Sequence, residues 1–142
     1  MKRHPSLQPL SDDHHRALVL ARRLRRASSG LAPAELVALS REVRQEFEAE
    51  LEPHFRVEES WLLPALEAKG AADLAVQTAK GHARLRDLVR GSWTSDTAKR
   101  LGTLLEQHVR FEERVLFPQT EILSSEAELA SAREAVVNHA AR

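Results

Sequence analysis

The chain contains no cysteine, which excludes disulfides, thiolate metal sites and iron–sulfur ligation. It contains no tyrosine either, so it has no tyrosyl-radical chemistry of its own. Glycine is scarce, with five in 142 residues, and no alternating apolar–polar stretch is long enough to read as a strand. No apolar run approaches the ~20 residues that a membrane span needs. The first ten residues hold no apolar stretch long enough for a secretory signal. The expectation is a soluble, cytoplasmic protein with no membrane partner. Charge of one sign is also lacking, because 21 Lys+Arg balance 21 Asp+Glu, and no net field argues for nucleic acid. Arg22, Arg23, Arg25 and Arg26 form a local basic cluster that reads as a solvated helix face.

What remains is rich in Ala, Leu, Glu and Arg, a helix-forming composition. The length suits one domain over residues 1–142, large enough to bury a core. Punctuation predicts a first helix from about Asp12 to Ala27, with Ser11 as N-cap and Ser28-Ser29-Gly30 as its end. A second runs from Pro33 to about Ala68, stopped by Gly70. Pro53 lies inside it and predicts a kink or bulge, and Pro64 a further bend. A third helix spans about Ala72 to Arg90. A fourth runs from about Asp96, capped by Thr94 or Ser95, to about Phe117. A short fifth covers about Glu126 to Asn138, with Ser125 and Glu128 at capping-box spacing. The fold class is all-α: an antiparallel up-down four-helix bundle with an additional short C-terminal helix.

One phrase occurs twice. His54-Phe55-Arg56-Val57-Glu58-Glu59 leads through apolar residues to Pro64, and His108-Val109-Arg110-Phe111-Glu112-Glu113 does so to Pro118. Residues four apart share a helix face, so each copy presents an imidazole and a carboxylate together. His14 and His82 lie on the inward faces of the other two helices. Four imidazoles and two carboxylates thus converge: His14, His54, Glu58, His82, His108 and Glu112. Such donors suit iron, manganese or zinc. Two carboxylates can bridge two ions, and six side chains leave coordination positions open. A lone His-x3-Glu is usually a surface pair; a duplicated one, joined by two further inward histidines, is not expected by accident. Of the adjacent pair, His14 has the more apolar face and His15 the more mixed one. His4 and His139 read as solvated. Glu59 and Glu113 point about 100° away from the bridging pair and read as groups behind the ligands or on the surface. Glu50 has no clear direction beside Pro53. Trp61, Phe47 and Phe117 read as core.

At these residues the chain resembles the hemerythrin-like, or HHE cation-binding, family, whose pattern is His, His-x3-Glu, His, His-x3-Glu on four successive helices. The resemblance covers about residues 10–120. It implies two iron ions in a non-haem di-iron centre, with zinc or manganese as substitutes. Glu58 and Glu112 would bridge, His14 and His54 would serve one iron, and His82 and His108 the other. Oxygen-carrying members have a further His one turn after the third-helix His. Here that position is Arg86, which cannot ligate, and the simplest reading is an exposed side chain in a lost ligand position. Reversible oxygen storage is therefore not expected.

The favoured function is a di-iron protein that binds, senses or reacts with a small oxidant such as O2, peroxide or NO, with any signal passed to a protein partner. A redox or iron–sulfur-cluster repair enzyme, or an iron-handling protein, is the alternative. No organic substrate pocket is defined and the Glu-x2-His of ferroxidase-type bundles is absent, so catalysis is the less favoured reading. A bundle merely stapled by metal is the third. The oligomeric state is left open.

Overall fold

A computed structural model describes residues 2–27 and 30–140. Ser28 and Ser29, expected to end the first helix, lie outside the described residues, as does the side chain of His139. Among the described residues there are five helical rods and no strand. They are α1 (Gln8–Ala27), α2 (33–68), α3 (Ala72–Arg90), α4 (95–123) and α5 (Glu126–Ala140). The first four form the bundle, joined by short connections, and α5 packs across α1 and α2.

Most ends are set by local chemistry. Thr94 caps α4, its side chain accepting from Thr97 N at 3.2 Å. Ser125 and Glu128 form the reciprocal capping box, at 2.9 and 3.1 Å. Gly70, at φ 84°, closes α2: its N–H reaches Glu67 O at 3.1 Å, and Ala71 N reaches Leu66 O at 2.8 Å. One expectation fails here. Ser11 is not an N-cap, because α1 already begins at Gln8 with Pro9 in its first turn. The Ser11 hydroxyl instead donates to Glu113 across the bundle, 2.7 Å from Oε2.

The long rods α2 and α4 are not uniform. Each widens into π-helical turns, at Phe47–Leu51 and Glu58–Leu62 in α2 and at Glu112–Leu116 in α4. Every one is followed, two residues on, by a proline: Pro53, Pro64 and Pro118. A proline inside a helix has no N–H for the carbonyl four residues back, and its ring collides with that carbonyl. A turn closed by i→i+5 bonds moves the carbonyl aside, so the rod continues. The expected irregularities at Pro53 and Pro64 take this form. At Pro118 the same device carries α4 on to Leu123, beyond the expected end near Phe117. The wider turn also shifts the register, burying Leu116 and leaving Val115 exposed.

Apolar side chains pack in two clusters. One holds Ala17, Leu24, Phe47, Phe55, Leu85, Leu101 and Leu105. The other holds Leu7, Leu10, Leu62, Leu66, Leu116 and Phe117. Full burial of each such side chain contributes roughly 1.5–3 kcal/mol. Between the clusters along each of α1 to α4 lies one buried polar layer: His14 on α1, His54 and Glu58 on α2, His82 on α3, and His108 and Glu112 on α4. α1 and α4 approach closely at Gly102, where a Cβ would meet Ala21 O at 2.8 Å. No described helix is long and apolar enough to cross a membrane.

Candidate metal centre

Both copies of the repeated phrase place their first glutamate at the start of a π turn, Glu58 in α2 and Glu112 in α4. Both carboxylates are fully buried at the bundle axis. More residues per turn means a smaller angle between neighbours, which lets the second glutamate, Glu59 or Glu113, flank the same layer instead of turning to the far side. The arginines of the phrase stay outside: Arg56 pairs with Glu52 at 3.5 Å, and Arg110 pairs with Glu106.

All four histidines turn Nε2 toward the glutamates. His14 lies 2.7 Å from Glu112 Oε1 and His108 2.8 Å from Glu112 Oε2. His82 lies 2.9 Å from Glu58 Oε1 and 3.5 Å from Glu112 Oε2. His54 lies 3.3 Å from both Glu58 Oε2 and Glu112 Oε1. The donors fall into two groups of four that share both carboxylates. One is His14, His54, Glu58 and Glu112; the other is Glu58, His82, His108 and Glu112. Within each group all donor atoms lie within 4.8 Å of one another. Two donors each ~2.1 Å from one ion are at most ~4.2 Å apart, so closing around an ion needs shifts of tenths of an ångström.

Three buried polar atoms have no aligned hydrogen-bond partner here: Glu58 Oε2, Glu112 Oε2 and His108 Nε2. Leaving such atoms unsatisfied is costly. One oxygen of each shared carboxylate and one imidazole nitrogen is the donor set that a metal ion would complete, so the residues present fit such ions.

Behind the donors stands a second row. His14 Nδ1 lies 3.1 Å from Glu113 Oε2, His54 Nδ1 3.0 Å from Asp13 Oδ2, and His82 Nδ1 2.7 Å from Glu59 Oε2. A carboxylate on the outer nitrogen fixes the ring and raises its basicity toward a metal. Among the described residues no carboxylate reaches His108 Nδ1, which lies instead against the bare backbone of Gly81. Phe55 stacks on His82 at 4.0 Å and meets His108 edge-on at 5.6 Å, while Phe117 stacks on His14 at 5.3 Å.

Arg86 is not the exposed side chain that the sequence suggested. It is 20% exposed and forks between two carboxylates. Its guanidinium donates to Glu52 Oε1 at 2.8 Å and Oε2 at 3.0 Å, and to Glu59 at 2.7 and 2.9 Å. It therefore anchors the carboxylate that holds His82, and it lies 5.6 Å over the Phe55 ring.

The electrostatics of the layer follow from these contacts. Burial opposes charge on His14, but its hydrogen bonds to Glu112 and Glu113 outweigh burial and raise its pKa. Burial is likewise overcome at His54 by Glu58, Asp13 and Glu112, leaving the pKa well above the ordinary histidine value. His82 is raised to about 9, against desolvation, by Glu112 and Glu58. Glu112 is held well below the usual carboxylate range by His108, His14 and His54, which together overcome its burial. The raised values favour protons on His14, His54 and His82, which offset the charge of Glu112.

All six sequence-selected residues are thus brought into one layer. Of the adjacent pair, His14 turns inward and His15 is exposed. His4 is not solvated as expected, because it is half-buried and lies 3.1 Å from Glu126. Glu50 points out and pairs with Arg16 at 3.0 Å. Asp13, Glu52, Phe55 and the clamp made by Arg86 were not singled out by the sequence. Only the step of one residue from His14 to Asp13, and of four residues from His82 to Arg86, hinted at two of them. A family described as the hemerythrin HHE cation binding domain matches residues 7–120. No curated protein and no solved structure matches the chain.

Proposed function

Because the chain belongs to the hemerythrin HHE cation-binding domain family, we propose that it holds two iron ions and uses them to bind, sense or react with a small oxidant such as O2, peroxide or NO. The observation that carries this reading is the sharing of Glu58 and Glu112 between two four-donor groups, with one oxygen of each lacking an aligned hydrogen bond. His14 and His54 would serve one ion and His82 and His108 the other, with the glutamates bridging. When bound, such a pair supplies coordination positions that six side chains leave open to a small ligand. Zinc and manganese suit the same donors.

The chain's own part is to orient and to exclude. Glu113, Asp13 and Glu59 fix three of the four rings from behind, while Phe55 and Phe117 wall the layer against water. Arg86, engaged with Glu52 and Glu59, offers no donor where a fifth imidazole would otherwise stand. Two imidazoles per ion favour sensing or reaction over reversible oxygen storage. A sensing role would pass its signal to a protein partner.

The test is metal content with optical spectra before and after exposure to O2 or NO. Two irons per chain and an oxidant-dependent spectral change are expected. His54→Ala and Glu112→Ala should each lower the iron content. Two irons retained in both variants would overturn the site, and a spectrum indifferent to both gases would overturn the oxidant reading.

A further inference from the structure

The two halves of the centre are built alike but closed differently. In the first half, the residue before His14 is Asp13, whose carboxylate braces His54. The crevice beside it, between α1 and α2, holds only about 10 Å³. In the second half, the residue before His82 is Gly81. A Cβ there would stand 2.6 Å from His108 Nδ1, so the ring occupies the space that a side chain would take. Outside Gly81, α3 and α4 part to form a groove of about 560 Å³, and His108 forms part of its wall. His108 is the most exposed of the four rings, at 8%. Its other edge is 2.8 Å from Glu112 Oε2. A single ring, unbraced by any carboxylate among the described residues, therefore separates the groove from the buried layer.

The groove also carries charge. Lys80 and Arg84 line it, opposed by Asp87 alone. Neither cation is engaged in an ion pair or hydrogen bond among the described residues. In a chain of zero formal net charge, this makes the mouth locally cationic.

We propose that the α3–α4 groove is the access site through which small anions reach the centre, with His108 as its movable inner wall and Gly81 as the residue that leaves room for it. The inference rests on the reading of the buried layer as a metal centre. It names which side of that centre is open and which ligand class that side gathers. A local positive potential raises the arrival rate of anions by roughly tenfold or more at low salt and leaves neutral molecules unaffected.

Azide is the probe, followed by stopped-flow absorbance on the iron-loaded chain. Ala83→Trp and Gln107→Trp fill the groove from its two helices without touching a donor. Each should slow azide association at least tenfold while changing equilibrium affinity less than twofold, because a blocked passage slows arrival and departure alike. Val37→Trp, on an exposed position away from the groove, should leave the rate unchanged. The Lys80→Gln/Arg84→Gln pair should slow azide but not the neutral NO. Unchanged azide rates in both tryptophan variants overturn the proposal, and equal slowing of NO by the charge pair overturns its anion preference. A second readout needs no metal: in the metal-free chain, diethyl pyrocarbonate should modify His108 before His14, His54 and His82, and the tryptophan variants should suppress this. Modification of His108 no faster than of the other three also overturns it. A chain that retains no iron refutes the metal reading instead, and the order of modification still decides whether the groove is open.

Discussion

The metal-free chain should lose stability as pH rises from 6.5 to 9, the reverse of what a buried neutral histidine would produce. His82 is held at about 9 in the folded chain, against 6.5 when unfolded. Its proton is therefore bound more tightly in the folded state. The contribution is present in full below pH 6.5, where both states are protonated. It declines through the interval and is gone above about 9. At about 1.4 kcal/mol per pH unit, His82 alone accounts for roughly 3 kcal/mol. That is an upper value, because Glu58 and Glu59 can rearrange once the ring is neutral. His14 and His54, also raised, act in the same direction. Glu112, Glu59 and Glu113 are lowered and stay ionised throughout, so they do not compensate. Urea unfolding in the presence of chelator, at pH 6 and pH 9.5, measures the difference, and His82→Gln should remove about 3 kcal/mol of it. Metal loading should run the other way, tightening as pH rises, because ions must displace these protons. A stability that is flat across the interval, or a His82→Gln chain with an unaltered pH dependence, would show that the layer is not held by imidazolium–carboxylate pairs.

Removing the second row should act on metal affinity: Glu59→Gln and Glu113→Gln, measured by zinc titration calorimetry, are each expected to weaken binding by about 10–100-fold. Loading should be stepwise, the first equivalent of cobalt engaging His14 and His54; in optical titrations His54→Ala should abolish the tighter phase and His108→Ala the weaker one. Gly102→Ala should destabilise the chain by about 1–3 kcal/mol, seen as a lower melting temperature, because the added Cβ meets Ala21 O at 2.8 Å. Phe55→Ala should cost about 3–5 kcal/mol in urea unfolding, because this ring is 1% exposed and touches Phe47, His82 and His108.

What the sequence made legible is what local physics controls. The bounds of α3, the Thr94 cap, the Gly70 stop and the Ser125–Glu128 box depend on residues within a turn or two of one another, and each is found where composition and spacing put it. The gathering of His14, Glu58, His82 and their partners was legible for a related reason: helical period alone decides which side chains face inward, and four short-linked helices leave few ways to arrange those faces. The misplaced features depend on partners far along the chain. Ser11 looks like a cap until Glu113, about a hundred residues away, engages its hydroxyl. Pro118 looks like a stop until the π turn ahead of it is known. Arg86 looks like a vacant surface position because Glu52 and Glu59, which turn it into a clamp, lie on another helix.

The repeated phrase suggests two equivalent halves, yet the residues around it make them unequal. Each proposed ion would have two imidazoles and the same two carboxylates. Behind His14 and His54 stand Glu113 and Asp13. Behind His82 stands Glu59, whose charge Arg86 partly neutralises through a two-pronged contact, and among the described residues no carboxylate stands behind His108. A carboxylate on the outer nitrogen makes an imidazole the stronger donor, so the first pair should hold its ion more tightly and the second pair should leave its own more electron-poor. The groove opens on the side of the second pair, at His108. The weaker donors and the open wall therefore coincide, and both follow from single-residue differences at equivalent positions: Gly81 where the first half has Asp13, and Arg86 where it has Leu18. The repeat supplies the candidate ligands, and differences just outside them would distinguish a face that anchors metal from a face that can meet a ligand.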